Sequence, residues 1–274
     1  MKKNNKIKFI ICFSIILIII VIFFFYPYKY NTISQDKHAS FSFIHLLGTD
    51  YLGRDFLSRI SLATLNTLLI SITSIFCSVF IGAVYGMIAG YAKTSVGKIM
   101  YYILNIIESI PEFLLAMLLL VVYNNRFENL GLIGILITLI VVSWTYIARI
   151  VMNETKKIME TEYVQYSIRN GASMYFVIKS HIIPNLKDII LITTLQKIPS
   201  CIFLESFLSF IGIGIQPPYP SLGRMISEGL KFFRLYPREL FIPCLILIVI
   251  VIFFNILIKK FSGRIYEVSK WEKN

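Results

Sequence analysis

Charge is scarce in this sequence. Only 15% of its 274 residues are Asp, Glu, Lys or Arg, against 57% that are apolar. A soluble domain with that balance would expose far more apolar surface than it could bury. Cysteine is rarer still: Cys12, Cys77, Cys201 and Cys244 stand alone in apolar runs, with no pair at metal-ligand spacing, and are expected to be small buried hydrophobes. His38, His45 and His181 form no cluster, which argues against a metal site built by this chain alone. A phosphate-cradling Gly-rich loop ending in Gly-Lys-Ser/Thr is missing too, so if ATP drives this protein another chain must bind it.

Long apolar runs are what the sequence has in abundance. Phe9 to Tyr26, Leu62 to Ala92, Asn129 to Ala148 and Leu240 to Ile258 contain no charged residue. About 20 helical residues suffice to cross the hydrocarbon of a bilayer. Ile99 to Tyr123 and Ile189 to Ile215 are as apolar but carry Glu108, Glu112, Lys197 and Glu205. Barrel strands alternate and are only about 10 residues long, whereas these runs are continuous. The fold class expected is therefore all-α and integral to the membrane, with about six transmembrane helices. The first run follows Lys2, Lys3, Lys6 and Lys8 and is succeeded by bulky aromatics without a small-residue cleavage site, which predicts a permanent span.

The formal charge of +12 raises the question of a nucleic-acid partner. With an inner N-terminus and six spans, however, 17 of the 27 Lys and Arg residues fall in inner segments, nine fall outside and Lys197 lies within a span. Cytoplasmic loops collect basic residues in this way, so the excess reports topology, both termini inside, and contact with anionic lipid.

Residues 1–61 read as an N-terminal span and outer segment, 62–260 as the transmembrane domain with a cytoplasmic loop at about 153–187, and 261–274 as a cytoplasmic tail. Within the loop, Val164, Ile168, Gly171, Tyr175 and Ile178 recur at three- and four-residue steps, the spacing of a helix with one apolar face. Gly171 interrupts the pattern and Pro184 is expected to end it, giving a helix, a bend and a second short helix before the fifth span. So short a loop cannot bury that stripe alone. Either a partner covers it, or it packs on the inner ends of its own spans, or it lies on the membrane surface. Gln216 to Glu239 contains four prolines and reads as an ordered outer loop.

Three stretches carry a resemblance. Glu162-Tyr163-Val164, Gly171-Ala172-Ser173 and His181-Ile182-Ile183-Pro184-Asn185 together resemble the coupling-loop signature of bacterial ABC importer permeases. Gly48-Thr49-Asp50-Tyr51-Leu52-Gly53-Arg54-Asp55 with Ser58-Arg59 resembles the outer motif of the C-type permeases in the dipeptide, oligopeptide and nickel group. Leu208-Ser209-Phe210-Ile211-Gly212-Ile213-Gly214-Ile215-Gln216-Pro217-Pro218, followed by Pro220-Ser221-Leu222-Gly223, is similar to the end of that family's fifth span. The pattern departs at Tyr166 and Ser167, where the signature has alanines, and at Arg169 and Ala63-Thr64-Leu65.

The resemblance implies a methionine-importer-like, type I permease fold. It implies a second related permease, two cytoplasmic ATPases that hold ATP and Mg, and an extracellular binding protein or lipoprotein as partners. Peptide is the implied cargo, with nickel or a metal chelate as competitors, and neither a cofactor nor catalysis is expected in this chain. Glu162, Tyr163, Gly171, Ala172, Ser173 and Pro184 would couple to the ATPase. Glu162 would start the first coupling helix, where a carboxylate suits the positive end of the dipole. Tyr166 in place of alanine implies a looser or altered dock.

Glu108, Pro111 and Glu205 are candidate pathway residues, because carboxylates facing lipid are costly and Pro111 should bend the third span and free carbonyls. Glu205 could equally pair with Lys197 or another subunit. Arg54 and Asp55 are expected to cap and order the approach to the second span. An ion-coupled carrier using the intramembrane glutamates, or a membrane enzyme using Glu108 with Glu112, are the rival classes.

Overall fold

The computed structural model describes residues 3–25, 30–92, 95–126 and 131–271. Tyr26, Pro27 and Asn129, where expected segment boundaries fall, and the last three residues of the tail lie outside it. Ten α-helices are described: α1 (Lys3–Phe25), α2 (Phe56–Tyr91), α3 (Ser95–Glu108), α4 (Glu112–Arg126), α5 (Gly131–Met159), α6 (Glu162–Arg169), α7 (Met174–Val177), α8 (Ile183–Phe210), α9 (Leu222–Lys231) and α10 (Arg238–Trp271). A π-helical turn, Ile178–Ile182, joins α7 to α8. Among the described residues, extended pairing is limited to two isolated bridges, Ile33 with Arg54 and Thr49 with Asp55.

Four helical stretches are long and apolar enough to cross a bilayer: α2, α5, Met174–Phe210 and Arg238–Ser262. The expected third span is helical on both sides of Pro111, but its halves α3 and α4 meet at 82°, so the bend is a break. Counted as one span, the pair is a fifth crossing. Helix α1 occupies the first expected run.

Two span ends differ from their hydropathy limits. Helix α2 starts at Phe56, ahead of Leu62, because Asp55 caps it: its Oδ1 accepts from Ser58 N at 2.8 Å and Ser58 Oγ at 2.8 Å. Helix α5 continues past Ala148 to Met159, since Val151, Met152 and Thr155 stay buried after hydropathy has fallen. Cys12 and Cys201 are buried as expected, whereas Cys77 is exposed and Cys244 half-buried, because apolar helix faces turned to lipid need no protein cover.

The chain divides into two compact units whose boundaries fall inside helices. The first comprises Met1–Ile72, Leu120–Leu136 and Pro199–Leu257. In it, backbone bonds from Ser34 N to Gly53 O (2.9 Å) and His38 N to Asp50 O (3.0 Å) fold the segment before α2 into an ordered loop. Asp50 is its hub. Oδ1 accepts the N–H groups of Leu52 and Arg54, each at 2.9 Å, and Oδ2 accepts Arg54 Nε at 2.8 Å and the Arg59 guanidinium. Arg59 continues to Glu228 Oε2 at 2.9 Å, which fastens α9 to the start of α2. Arg54 and Asp55 thus cap and order this approach, as the sequence suggests.

The second unit comprises Thr73–Leu119, Ile137–Ile198 and Ile258–Asn274. Here α2 lies against α5 at backbone contact. A Cβ added at Gly82, Gly86 or Gly90 would sit 2.7, 2.6 or 2.7 Å from the carbonyl oxygens of Trp144, Ala148 and Met152 respectively. Both series step by four residues, so one glycine ridge runs along one α5 row. This contact seats the helices that carry the site described below.

Two consequences are measurable in detergent-solubilised protein. Gly86→Leu forces side-chain volume into the α2–α5 contact and should destabilise by about 1–3 kcal/mol, whereas Phe80→Leu on the exposed face of α2 should melt like the parent. Equal melting of the two variants would refute the close approach. Asp50→Ala leaves the buried Arg59 cation short of a partner and should cost about 3–5 kcal/mol. Glu154→Ala, which breaks only the exposed pair with Lys157, should stay within about 0.5 kcal/mol.

Candidate functional site

Helix α6 begins at Glu162, whose carboxylate lies in its first turn, and it closes at Gly171. Gly171 has φ +84°, the left-handed conformation that glycine adopts without a Cβ penalty. Its N–H donates to Ile168 O at 3.0 Å and the next N–H, of Ala172, reaches back to Ser167 O at 3.1 Å. That double closure is a Schellman motif. Ser173 then caps α7 by accepting from Phe176 N at 3.3 Å. Glu162, Gly171, Ala172 and Ser173 thus occupy a helix start, a bend, a tuck and a cap in sequence order.

Pro184 does not end a helix. The chain stays helical from Met174 to Phe210, and Pro184 is the second residue of α8. An α-helical proline clashes with the carbonyl four residues back and lacks the donor for it. The wider π turn at Ile178–Ile182 lies where that clash would occur and accommodates the ring.

The apolar stripe of the pair is covered by the chain itself. Val164, Val177, Ile182 and Leu186 are buried with Ala83 of α2 and Ile147, Val151, Ile158 and Met159 of α5; Ile168, Ala172 and Ile178 pack alongside. Tyr175, expected in that stripe, is 71% exposed instead, because the bend at Gly171 turns α7 out of the phase of α6. Tyr163, Tyr166 (70% exposed) and Phe176 join it on the uncovered face. Tyr166, Ser167, Asn170, Gly171, Ala172, Ser173 and Phe176 ring a shallow hollow there.

His181 braces the pair from behind. Its Nε2 lies 3.1 Å from Ser167 Oγ, and its ring meets Tyr163 and Phe176 edge-on at 5.6 and 5.7 Å. Its place in the quoted motif signals its position, but without the fold nothing in the sequence links it to Ser167.

The charged span residues fall into two groups. Arg149 of α5 donates through Nε (3.0 Å) and a terminal nitrogen (2.7 Å) to Glu108 Oε2, and reaches Asn105 Oδ1 at 2.6 Å. Lys197 of α8 holds both oxygens of Glu112 at 2.7 and 2.8 Å, with its ammonium 5.2 Å above the Tyr146 ring. Glu108, Pro111, Glu112 and Lys197 share a cavity of about 210 Å³ at the α3–α4 break. In the sequence Arg149 reads as a cytoplasmic flank and Lys197 as a possible partner of Glu205, whereas the structure gives Lys197 to Glu112.

While Lys197 is engaged by Glu112, Glu205 has partners of its own within the first unit. Fully buried, its carboxylate accepts from Ser209 Oγ at 2.8 Å and Ser206 Oγ at 3.3 Å, and bonds Thr67 and Ser221 as well. Thr67 Oγ1 in turn accepts from Leu222 N, and Ser221 Oγ from Arg224 N, each at 3.3 Å. Glu205 therefore ties the start of α9 to α2 and α8, a structural tether built wholly of hydroxyls.

Residues 82–265 match the family model described as binding-protein-dependent transport system inner membrane component. The oligopeptide transport system permease protein OppC of Bacillus subtilis is 32% identical over 260 residues, which is 93% of this chain and 83% of that protein. The dipeptide transport system permease protein DppC of the same organism is 35% identical over 186 residues, 68% of this chain but only 57% of that protein. Among solved structures, the MetNI methionine ABC transporter in an inward-facing form superposes with a TM-score of 0.62 at 18% identity, over 77% of this chain and 95% of that one. That last likeness establishes the type I importer fold alone, which is the fold expected from the sequence. With the family model spanning about two thirds of the chain and a relative 32% identical over 93% of it, the chain belongs to the binding-protein-dependent transport system inner membrane components and is a multi-pass permease subunit.

Proposed function

We propose that this permease forms half of the translocation pathway of an ATP-driven importer whose cargo is a di- or oligopeptide. The observation that carries the reading is the uncovered aromatic face of α6–α7, Tyr163, Tyr166, Tyr175 and Phe176, on a helix pair otherwise sealed against α2 and α5. An apolar face held out by a rigid seat suits a protein partner. Family membership implies an ATP-binding subunit and a substrate-binding protein. Two ATPase chains carrying ATP and Mg, and a second related permease, complete the proposed assembly. The names of the relatives support peptide over nickel or a metal chelate.

In this reading Glu162, Tyr163, Gly171, Ala172 and Ser173 shape the coupling element, and nucleotide-driven closure of the ATPases moves it. Pro184 contributes where the pair joins α8. Tyr166, where the signature carries a small residue, broadens the docking face. Glu108, Pro111 and Glu112 line the path, and the inner excess of Lys and Arg supports a cytoplasmic position for both termini.

Gly171→Pro tests the coupling element, since proline fixes φ near −65°, against +84° here, and removes the N–H that bonds Ile168. The variant should reach the membrane at parental levels yet abolish uptake and ATPase co-purification. Gly171→Ala, strained by about 1–2 kcal/mol but unobstructed, should retain partial uptake. Normal transport by the proline variant would reduce the pair to a passive connection.

Topology is tested in a background without native cysteines. An impermeant thiol reagent applied to intact cells should label Leu235→Cys and spare Glu160→Cys, both exposed positions. The reverse labelling pattern would invert the proposed orientation.

A further inference from the structure

The cavity at the α3–α4 break is asymmetric in its charges. Glu108 and Glu112 reach it with 33% and 41% of their side-chain surface exposed, whereas their cations are withdrawn, Arg149 at 19% and Lys197 at 7%. Each cation is also engaged by a ring, Arg149 4.9 Å from the centroid of Tyr101 and Lys197 5.2 Å from that of Tyr146. An entering anion would have to displace a carboxylate from a cation it already holds. An entering cation displaces nothing. A carboxylate has about four lone-pair positions, and both Arg149 contacts fall on the single oxygen Oε2 of Glu108. The Tyr146 ring lines the same space.

The volume of about 210 Å³ limits what can enter. Sites that enclose a whole drug-sized ligand run to about 300–1,000 Å³, so this cavity takes one end of a longer molecule. The break itself keeps the site polar, because α3 stops at Glu108 and α4 restarts at Glu112, whose carboxylate lies at the positive end of the α4 dipole. Their basic partners, Lys197 buried and Arg149 half-buried, hold both acids in place.

We propose that this cavity is a transit site for a primary ammonium group of the cargo, the protonated amino terminus of a peptide, with Glu108 and Glu112 as its direct ligands and Arg149 and Lys197 as positioning residues. The inference rests on the peptide reading above and names the chemistry that the permease itself recognises. Unmodified peptides share two charged ends, an ammonium and a carboxylate, and acidic ligands suit the first. A lysine side chain carries the same ammonium, so the two sources must be separated by the cargo used.

The test measures uptake in intact cells expressing the chain with its own partner subunits, using three tripeptides: free-amino trialanine, N-acetylated trialanine, and an N-acetylated tripeptide carrying one lysine. Rates are compared within the same cells, so a reduced amount of folded permease cancels, and the binding protein is common to all arms. The parent should favour free-amino over acetylated trialanine. Glu108→Gln, and the paired Glu112→Gln/Lys197→Met that leaves no lone buried cation, should each lower that ratio about tenfold, while Glu112→Asp should restore most of it. If the acetylated lysine peptide alone loses ground in the variants, the site reads side chains and the amino-terminal assignment is overturned. Ratios unchanged from the parent overturn the site altogether. Failure of the parent to take up any of the three peptides overturns the cargo reading instead, and leaves a different signature from either result.

Discussion

A helix pair of eight plus four residues has no core of its own, so its position depends on the surface that receives it. That surface exists because α2 and α5 touch at backbone distance along Gly82, Gly86 and Gly90. In lipid, apolar side chains gain little by leaving the solvent, and close backbone approach supplies the van der Waals contact that holds helices together. Ala83, between two of those glycines, then joins Ile147 and Val151 in the floor on which Val164 and Val177 rest. Replace the glycine ridge with larger residues and the floor separates before the loop is touched.

Much of this was legible in the sequence because the membrane enforces simple rules. Uncharged runs give spans, Gly171 gives the bend, and Asp55 gives a cap. What the sequence withheld were facts of phase and partner. The periodicity across Val164, Ile168, Gly171, Tyr175 and Ile178 assumes one helical phase, but a left-handed residue in the middle resets it, and Tyr175 moves to the open side. Pro184 reads as a stop only while the preceding turn is assumed to be α-helical; one π turn removes the clash. Glycine at four-residue spacing in the second span was a usable signal for the α2–α5 contact.

The acids of the apolar runs show the same limit. Glu108, Glu112 and Glu205 look alike in a hydropathy profile, yet they meet three different environments: a guanidinium, an ammonium and a shell of hydroxyls. Only the first two share a cavity with a proline-broken backbone. Sequence distance conceals both pairs, since 41 residues separate Glu108 from Arg149 and 85 separate Glu112 from Lys197.

The break between α3 and α4 also bears on how the chain is built. Helices of 14 and 15 residues are each only about 21–23 Å long, short of the roughly 30 Å of hydrocarbon. Neither half can be released into lipid by itself, and the non-helical residues between them would leave peptide groups in an apolar solvent. Their shelter comes from segments synthesised afterwards, with Arg149 arriving on α5 and Lys197 on α8. Insertion strictly one crossing at a time would therefore release this run with two acids whose cations arrive only on later helices.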